Sequence, residues 1–378
     1  MKAWMLYGVG LMLFGLAVHL AFRAHDDAPP NIVFQGSSTD LKYSVVAPTL
    51  NCPIPPGKTV VWCLSFQMAW NRLKSDVIKS PIKITGAEKF ADDLNAALEN
   101  DADVSPADYF AAAGFAKDGI VGKINAGMAE KFPGLRIPKF GADSDIIAFA
   151  CIAAKAKFAV PFRDNKDDFA FTDSSGAKTQ VSSFGLHSSD YYGSEKMREQ
   201  VQILHYLRDA DPYSTPLEFI VDLSKNSTNN QIVLASVPPK ATLAETLAYV
   251  ETRIEKHDAV EDDEEFKHEG SLIVPKMSWY LDHQFSELTG MDKRLGNAGF
   301  AEHYLSSAMQ SIDFQLDHAG AEIISKAVVD AAKPDKKADH PPPKLVFDRP
   351  LLLYLKKRGA ARPFFVMWVD NAELLSKK

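Results

Sequence analysis

The sequence predicts a mixed α/β protein of the α+β kind, with large mixed β-sheets surrounded by helices, and three observations carry that prediction. Asp145 to Phe162, DIIAFACIAAKAKFAVPF, reads as a long central strand that ends at Pro161 and Phe162. Ala87 to Leu98 and Ile120 to Phe132 space their apolar residues at the helical period. From Gly320 onward Ala321, Ile323, Ser325, Ala327, Val329 and Ala331 are small or apolar, while Glu322, Lys326 and Asp330 put every charge on the alternate set. Period two marks a strand with one buried face. A helix would also place Glu322, Lys326 and Asp330 along one stripe.

The elements can be taken in order. Ala3 to Phe22 is an apolar run of bilayer-spanning length, interrupted by His19 and flanked by Lys2 and Arg23. It is expected to direct export. FRAHDD after it offers a poor cleavage site, so an uncleaved N-in, C-out anchor is preferred to a removed signal peptide. Residues 1–25 are therefore read as anchor or signal, 26–56 as a polar, proline-bearing tether with a first irregular segment, and 57–378 as the folded domain. Phe169 to Val181, with Ser174-Ser175-Gly176 as its turn, reads as a hairpin. Val201 to Tyr206 and Leu217 to Leu223 read as strands, and Leu243 to Ile254 as a helix. Lys333 to Pro343 carries four prolines among charges and is expected to be an exposed, extended tip.

Composition excludes several function classes. With 378 residues, 46% of them hydrophobic, the chain can bury one large core or two moderate ones. A net charge of −7 argues against nucleic acid as a partner. The sequence contains no G-x-S-x-G elbow, H-E-x-x-H, C-x-x-C or G-x-G-x-x-G after a strand. Pro56-Gly57-Lys58-Thr59 has only the tail of a phosphate loop, because Cys52 stands where the first glycine belongs. His187, His205, His283 and His303 would form a site only if folding gathered them. The acidic run Glu261 to Glu265 lacks calcium-loop spacing and is expected to be a solvated loop. Cys52 and Cys63 could pair in an exported chain, with Cys151 left over, or all three could be buried thiols. Asn226-Ser227-Thr228 is a glycosylation acceptor pattern. No catalytic residue, metal or cofactor is expected, and the chain is not read as an enzyme.

The order of these motifs resembles that of the serpins. Asp317, Gly320, Ala321 and Glu322 stand as in the serpin hinge, and Phe347, Asp348, Arg349 and Pro350 followed by LLLYL match the segment by which the family's loop re-enters the fold. Val60 to Leu73 resembles the family's buried early helix, with Leu64 and Ser65 matched, so a buried helix is implied there. Lys155, Pro161 and Phe162 match the long strand, with Phe158 in place of a tryptophan and Ala150 in place of an asparagine. Val274-Pro275-Lys276-Met277, FSELTGM and the closing PFFVMWVDN continue the order, with Met367 in place of a glycine. The resemblance covers residues 57 to 371 and is dense from 145 onward.

What the resemblance implies is a serpin fold with a reactive-centre loop at about 318–346. Its hinge would be Gly320, Ala321, Glu322, Ile323, Ser325 and Ala327, and the candidate scissile-bond residues Lys336, Lys337 and Lys333. The six-residue small set carries no charge, as entry into a sheet requires. Ile323 and Ile324 bring more bulk than the expected alanines. The family's polar cluster beneath the sheet opening also departs, since its Asn, Ser and His correspond here to Ala150, Trp62 and Gln310, with Ser65 retained. The implied function is inhibition of a serine-type endopeptidase, trypsin-like in preference if the cut falls after Lys336 or Lys337, or alternatively of a cysteine protease, by loop cleavage, loop insertion and covalent trapping. The alternative is a non-inhibitory serpin-scaffold binding protein at the cell envelope. In either case a monomer is expected, outside the cytoplasm, touching membrane only through its N-terminal segment. An unrelated envelope enzyme would need a catalytic cluster that the sequence does not display.

Overall fold

Ser144–Ile152 (β6) and His303–Leu316 (β16) both lie in one six-stranded sheet, as expected of the central strands. The computed structural model describes residues 32–133, 135, 140, 144–154, 158–190, 194–211, 214–256, 260–319 and 341–378, together with the backbone of 9–20. Across the sheet the order is β2 (Phe34–Ser37), β15 (Met277–Gln284), β16, β1 (Val9–Leu20), β6 and β5 (Tyr109–Phe115). β6 is apolar at every position from Ile146 because both its faces are covered. Ile146, Ala148, Ala150 and Ile152 join the main core, and Ile147, Phe149 and Cys151 join a second cluster with Ile120, Ile124 and Met128 of α3 (Ile120–Lys131). The strand stops at Ile152, well before Phe162. The Ala153 N–H donates to the Asp108 carbonyl at 2.7 Å, and Phe158 and Phe162 turn to pack edge to face at 4.8 Å.

The run expected to be a membrane anchor is thus placed, over Val9–Leu20, as a sheet strand. Its composition suits either role, because a strand covered on both faces is as apolar as a spanning helix. Among the described residues no helix is long and apolar enough to cross a membrane.

A seven-stranded sheet packs behind the first, in the order β11 (Gln202–Leu207), β12 (Glu218–Asp222), β13 (Asn230–Ser236), β18 (Leu351–Lys357), β19 (Phe365–Val369), β4 (Thr59–Cys63) and β3 (Ser44–Val46). Aromatic rings join the two sheets. Phe314 of β16 stacks on Phe365 of β19 at 4.7 Å and lies 5.4 Å from Trp279 of β15. Val60 to Cys63 is a strand and not the start of a helix. The β-branched pair Val60-Val61 ladders between β19 and β3, and helix α1 begins only at Leu64 and runs to Arg72. A π-helical turn, Leu73–Ile78, extends it to Lys79, whose φ of 59° ends the helix. Met367, where a glycine is usual, is fully buried between Leu353 and Val61.

The remaining sheet holds β17 (Lys344–Val346), β14 (Ser271–Pro275), β10 (Ser183–Leu186) and β7 (Arg163–Asn165) in that order. The expected hairpin is β8 (Ala170–Thr172) with β9 (Lys178–Gln180). Asp173 Oδ1 accepts from the Ser175 and Ala177 amides, and Gly176 takes a φ of +86°. Of the other helices, α2 (Glu88–Ala96) and α5 (Leu243–Lys256) lie where their periodicity put them. In α5, Leu243, Thr246, Leu247 and Val250 form the buried stripe, and Thr242 Oγ1 accepts from the Glu245 amide. α4 (Glu195–Glu199) is a short helix, and Phe285 to Met291 contributes one 3-10 turn, Ser286–Leu288.

The acidic run is helical. Val260–Glu269 (α6) pairs Asp262 and Glu265 with Arg208 at 2.9 and 2.7 Å, and Asp263 with Lys225 and Lys267. All three cysteines are free thiols, so Cys52 and Cys63 are not bridged.

Gly185 tests the four-stranded sheet. Its φ is +150°, and an added Cβ would stand 1.8 Å from the Leu272 carbonyl oxygen across the β10–β14 ladder. Gly185→Ala is expected to cost about 3 kcal/mol or more, since strain and backbone displacement act together. Urea denaturation of the two proteins gives the difference.

Candidate functional site: the slot between the two central strands

β1 runs parallel to both of its neighbours, so β6 and β16 are themselves parallel and stand one strand apart. Neighbouring strands lie about 4.8 Å apart, and the gap accepts a single strand. The registers are interrupted. On the β16 side they break between Leu11 and Met12 and between Gly15 and His19, and on the β6 side between Gly10 and Leu11 and between Leu16 and Val18. Midway, Gly15 is opposite Ala150 on one side and Gln310 on the other.

A polar cluster lies at that level. Gln310 Nε2 donates to the Cys63 carbonyl and to Ser65 Oγ, each at 3.0 Å, and Cys63 Sγ is 3.4 Å from Ser65 Oγ. Both Ser65 and Gln310 are buried. The carboxamide thus links β16 to the junction of β4 and α1, which Ala150 and Trp62 do not do: Trp62 Nε1 has no hydrogen-bond partner among the described residues, and Ala150 is an apolar wall of the slot. Gln310 Oε1 likewise has none among them. The anchoring role passes to Gln310 and Ser65, together with the carbonyl at the β4–α1 break. The sequence showed the substitutions but not that a carboxamide could span to the backbone.

The upper end of the slot is clasped. The Phe162 N–H donates to the His318 carbonyl at 2.9 Å, tying the chain after β16 to the chain after β6. Phe162 packs on Phe158 and, at 5.9 Å, on Phe184 of β10. Gln200 holds the same segment with a pair of hydrogen bonds, donating to the Val160 carbonyl and accepting from its amide. Beyond the clasp, Asp317 accepts from the Gln315 carboxamide at 2.6 Å and from the Ala319 amide at 2.8 Å.

Residues 320–340 follow. Every proposed hinge position (Gly320, Ala321, Glu322, Ile323, Ser325 and Ala327) and every candidate scissile residue (Lys333, Lys336 and Lys337) lies outside the described residues. The chain's return is built on different interactions. Arg208 Nη1 donates to the Pro341 carbonyl at 3.1 Å while its other nitrogen is held by Asp262 and Glu265. The Lys344 N–H donates to Tyr206 Oη at 3.1 Å, and β17 then pairs with β14. Arg208 and α6 carried no sequence signal beyond a charge run.

The four histidines are not brought together. His187 sits by Asn165 and Asp167, His205 faces Glu218, His303 packs on Phe300, and His283 Nδ1 lies 2.6 Å from Ser38 Oγ. Burial holds the His283 ring below its ordinary pKa. Among the described residues no three His, Cys, Asp or Glu side chains gather as a metal site. Gly57 and Lys58 form the turn into β4, and Thr59 Oγ1 is occupied by the Asp370 and Asn371 amides, so the phosphate-loop tail is structural. Burial pushes the Cys151 thiol up to about 12. Asn226 is exposed.

Two changes test this description. Gln310→Glu replaces the carboxamide donor of the cluster with a buried carboxyl and is expected to cost several kcal/mol at pH 7. Burial would raise its folded pKa, so the loss should shrink as pH falls toward the unfolded value of about 4.3; denaturant midpoints against pH would read it. His283 has the opposite sign. Because its folded pKa is depressed, stability is full above the ordinary value of 6.5 and falls as pH drops below it. His283→Gln is expected to remove that part of the pH profile.

No family model matches the chain, and no curated protein matches it. Solved structures do. The chain is similar to thyroxine-binding globulin in complex with thyroxine (16% identity, TM-score 0.37, covering 67% of this chain and 65% of that one). It is similar to the thermophilic serpin tengpin in its native state (15%, 0.39, 67% and 63%), and to native protease nexin-1 with heparin (12%, 0.36, 66% and 64%). Each match spans less than two thirds of the solved chain. All three are serpins. With its own strand order, and with residues 320–340 standing between β16 and β17, the chain has a mixed α/β fold of large β-sheets and surrounding helices.

Proposed function

We propose that the protein inhibits a serine-type endopeptidase outside the cytoplasm, by offering the loop of residues 320–340 for cleavage and then drawing its hinge half into the slot between β6 and β16. The observation that supports this reading is the slot itself. Two long parallel strands stand one strand apart and are clasped at the end from which the loop departs. The eleven residues Ala321 to Ala331 have the length and the uncharged alternate face that such a slot accepts, since β1 fills it with twelve.

The chemistry would come from the target. Its nucleophile attacks a loop carbonyl, the amide bond breaks, the new amino terminus departs, and an acyl-enzyme remains. Entry of the hinge would then add a strand to the sheet. With ten to twenty ladder hydrogen bonds at about 0.5–1.5 kcal/mol net each, the gain is of order 10 kcal/mol, enough to displace the attached protease before deacylation. Lys336 and Lys337 fit a protease with an acidic specificity pocket, and Lys333 is disfavoured because Pro334 follows it. Export rests on the apolar run Ala3 to Phe22.

A second reading, a serpin scaffold that binds at the envelope without inhibiting, is favoured by Ile323 and Ile324, whose bulk at the start of the hinge would hinder entry.

The full chain, reconstituted in phosphatidylcholine vesicles and mixed with equimolar trypsin, separates the two. The inhibitor reading expects a covalent band heavier than the intact chain, a cut after Lys336 or Lys337, and a large rise in melting temperature of the cleaved form. Ala321→Arg should convert it to a plain substrate, because a guanidinium on the entering face stalls insertion. Loop cleavage with neither covalent band nor thermal gain would overturn the inhibitor and leave the binding scaffold.

A further inference from the structure

The slot already has an occupant. β1 is joined through backbone ladders to β6 and β16 along nearly their whole overlap, from Val9 opposite His303 to Leu20 opposite Phe314. A strand entering from residues 320–340 would have to double back after Ala319, and so run antiparallel to β16. β1 runs parallel. The two strands differ in direction and compete for the same backbone groups, and the gap has room for one.

β1 is also an unusual strand by sequence. It lies inside Ala3 to Phe22, a run without a single Asp, Glu, Lys or Arg. Twenty such residues match the hydrocarbon thickness of a bilayer as a helix. The segment therefore has two destinations of comparable chemistry, and cannot hold both. Its ladders are broken twice on each side, and each break leaves backbone groups without a sheet partner. The fit in the sheet is thus poorer than that of an uninterrupted strand.

We propose that residues 9–20 are an intramolecular plug: while they lie in the sheet the loop is shut out, and insertion of the same residues into a lipid bilayer withdraws them and opens the slot. Gly15 supports the assignment, since it stands between Ala150 and Gln310 at the level of the polar cluster and brings no side chain to that crossing. The competence of the loop in this scheme rests on the inhibitor reading, whereas the plug and its withdrawal do not.

Hydrogen exchange on the full chain carrying Ala321→Arg tests the plug, because the loop of that variant cannot refill the slot. In buffer, amides of residues 9–20 and the alternate amides of β6 and β16 facing them should exchange at least about 100-fold more slowly than unstructured chain. After addition of phosphatidylcholine vesicles, the chain should float with the lipid, and the facing amides of β6 and β16 should exchange about tenfold or more faster. Free exchange of residues 9–20 in buffer would overturn the plug. Failure to bind the vesicles, or binding with the flanking strands equally protected, would overturn withdrawal by lipid. If exchange behaves as expected while the unsubstituted chain in vesicles still fails to trap trypsin, the plug stands and the inhibitor reading falls.

Discussion

Two parallel strands that are not each other's neighbours impose the main constraint on this fold. β6 and β16 each have one edge satisfied, by β5 and by β15, and each turns its other edge toward the same gap. Buried backbone donors and acceptors without partners cost about 1–3 kcal/mol apiece, so a sheet of this width cannot leave the gap empty without strain, closure or an added strand. The polar cluster at Gln310, the clasp between Phe162 and His318, and the stacking of Phe314 on Phe365 all fix β16 relative to its surroundings. They set the width and the ends of the gap. They do not choose what fills it.

Much of the architecture was legible because the relevant residues have only one comfortable environment. The alternation of β6 between two cores, the Asp173 turn and the α5 stripe follow directly from local pattern. Other elements were hidden for physical reasons. Val60 to Leu73 is apolar throughout, so periodicity could not show that pairing with β19 and β3 makes its first residues a strand. The run QIVLAS of β13 is too short to show a period, although its β-branched residues suit a central strand. The charges of α6 look like a solvated loop until Arg208, far away in sequence, supplies the partner that makes them structural.

The slot shows the sharper limit. Its walls could be read from sequence, and so could the absence of the usual Asn and His around it. That a glutamine would reach the Cys63 carbonyl, and that an apolar terminal run would lie between the walls, depends on distances that no local pattern encodes. Hydrophobicity alone does not distinguish a bilayer from the middle of a covered sheet, since both remove the side chains from water.

The two ends of segment 320–340 are held by different forces, and this has a consequence for how the loop responds to its surroundings. On the β16 side the tether is a backbone hydrogen bond under a cluster of phenylalanines, which ionic strength scarcely touches. On the return side Arg208 donates to the Pro341 carbonyl while Asp262 and Glu265 hold its other nitrogen, an ion pair shielded enough from solvent that salt screens it only in part. Added salt would therefore act on the tether at Pro341 more than on the one at His318, so that the two strands flanking the segment answer differently to one medium.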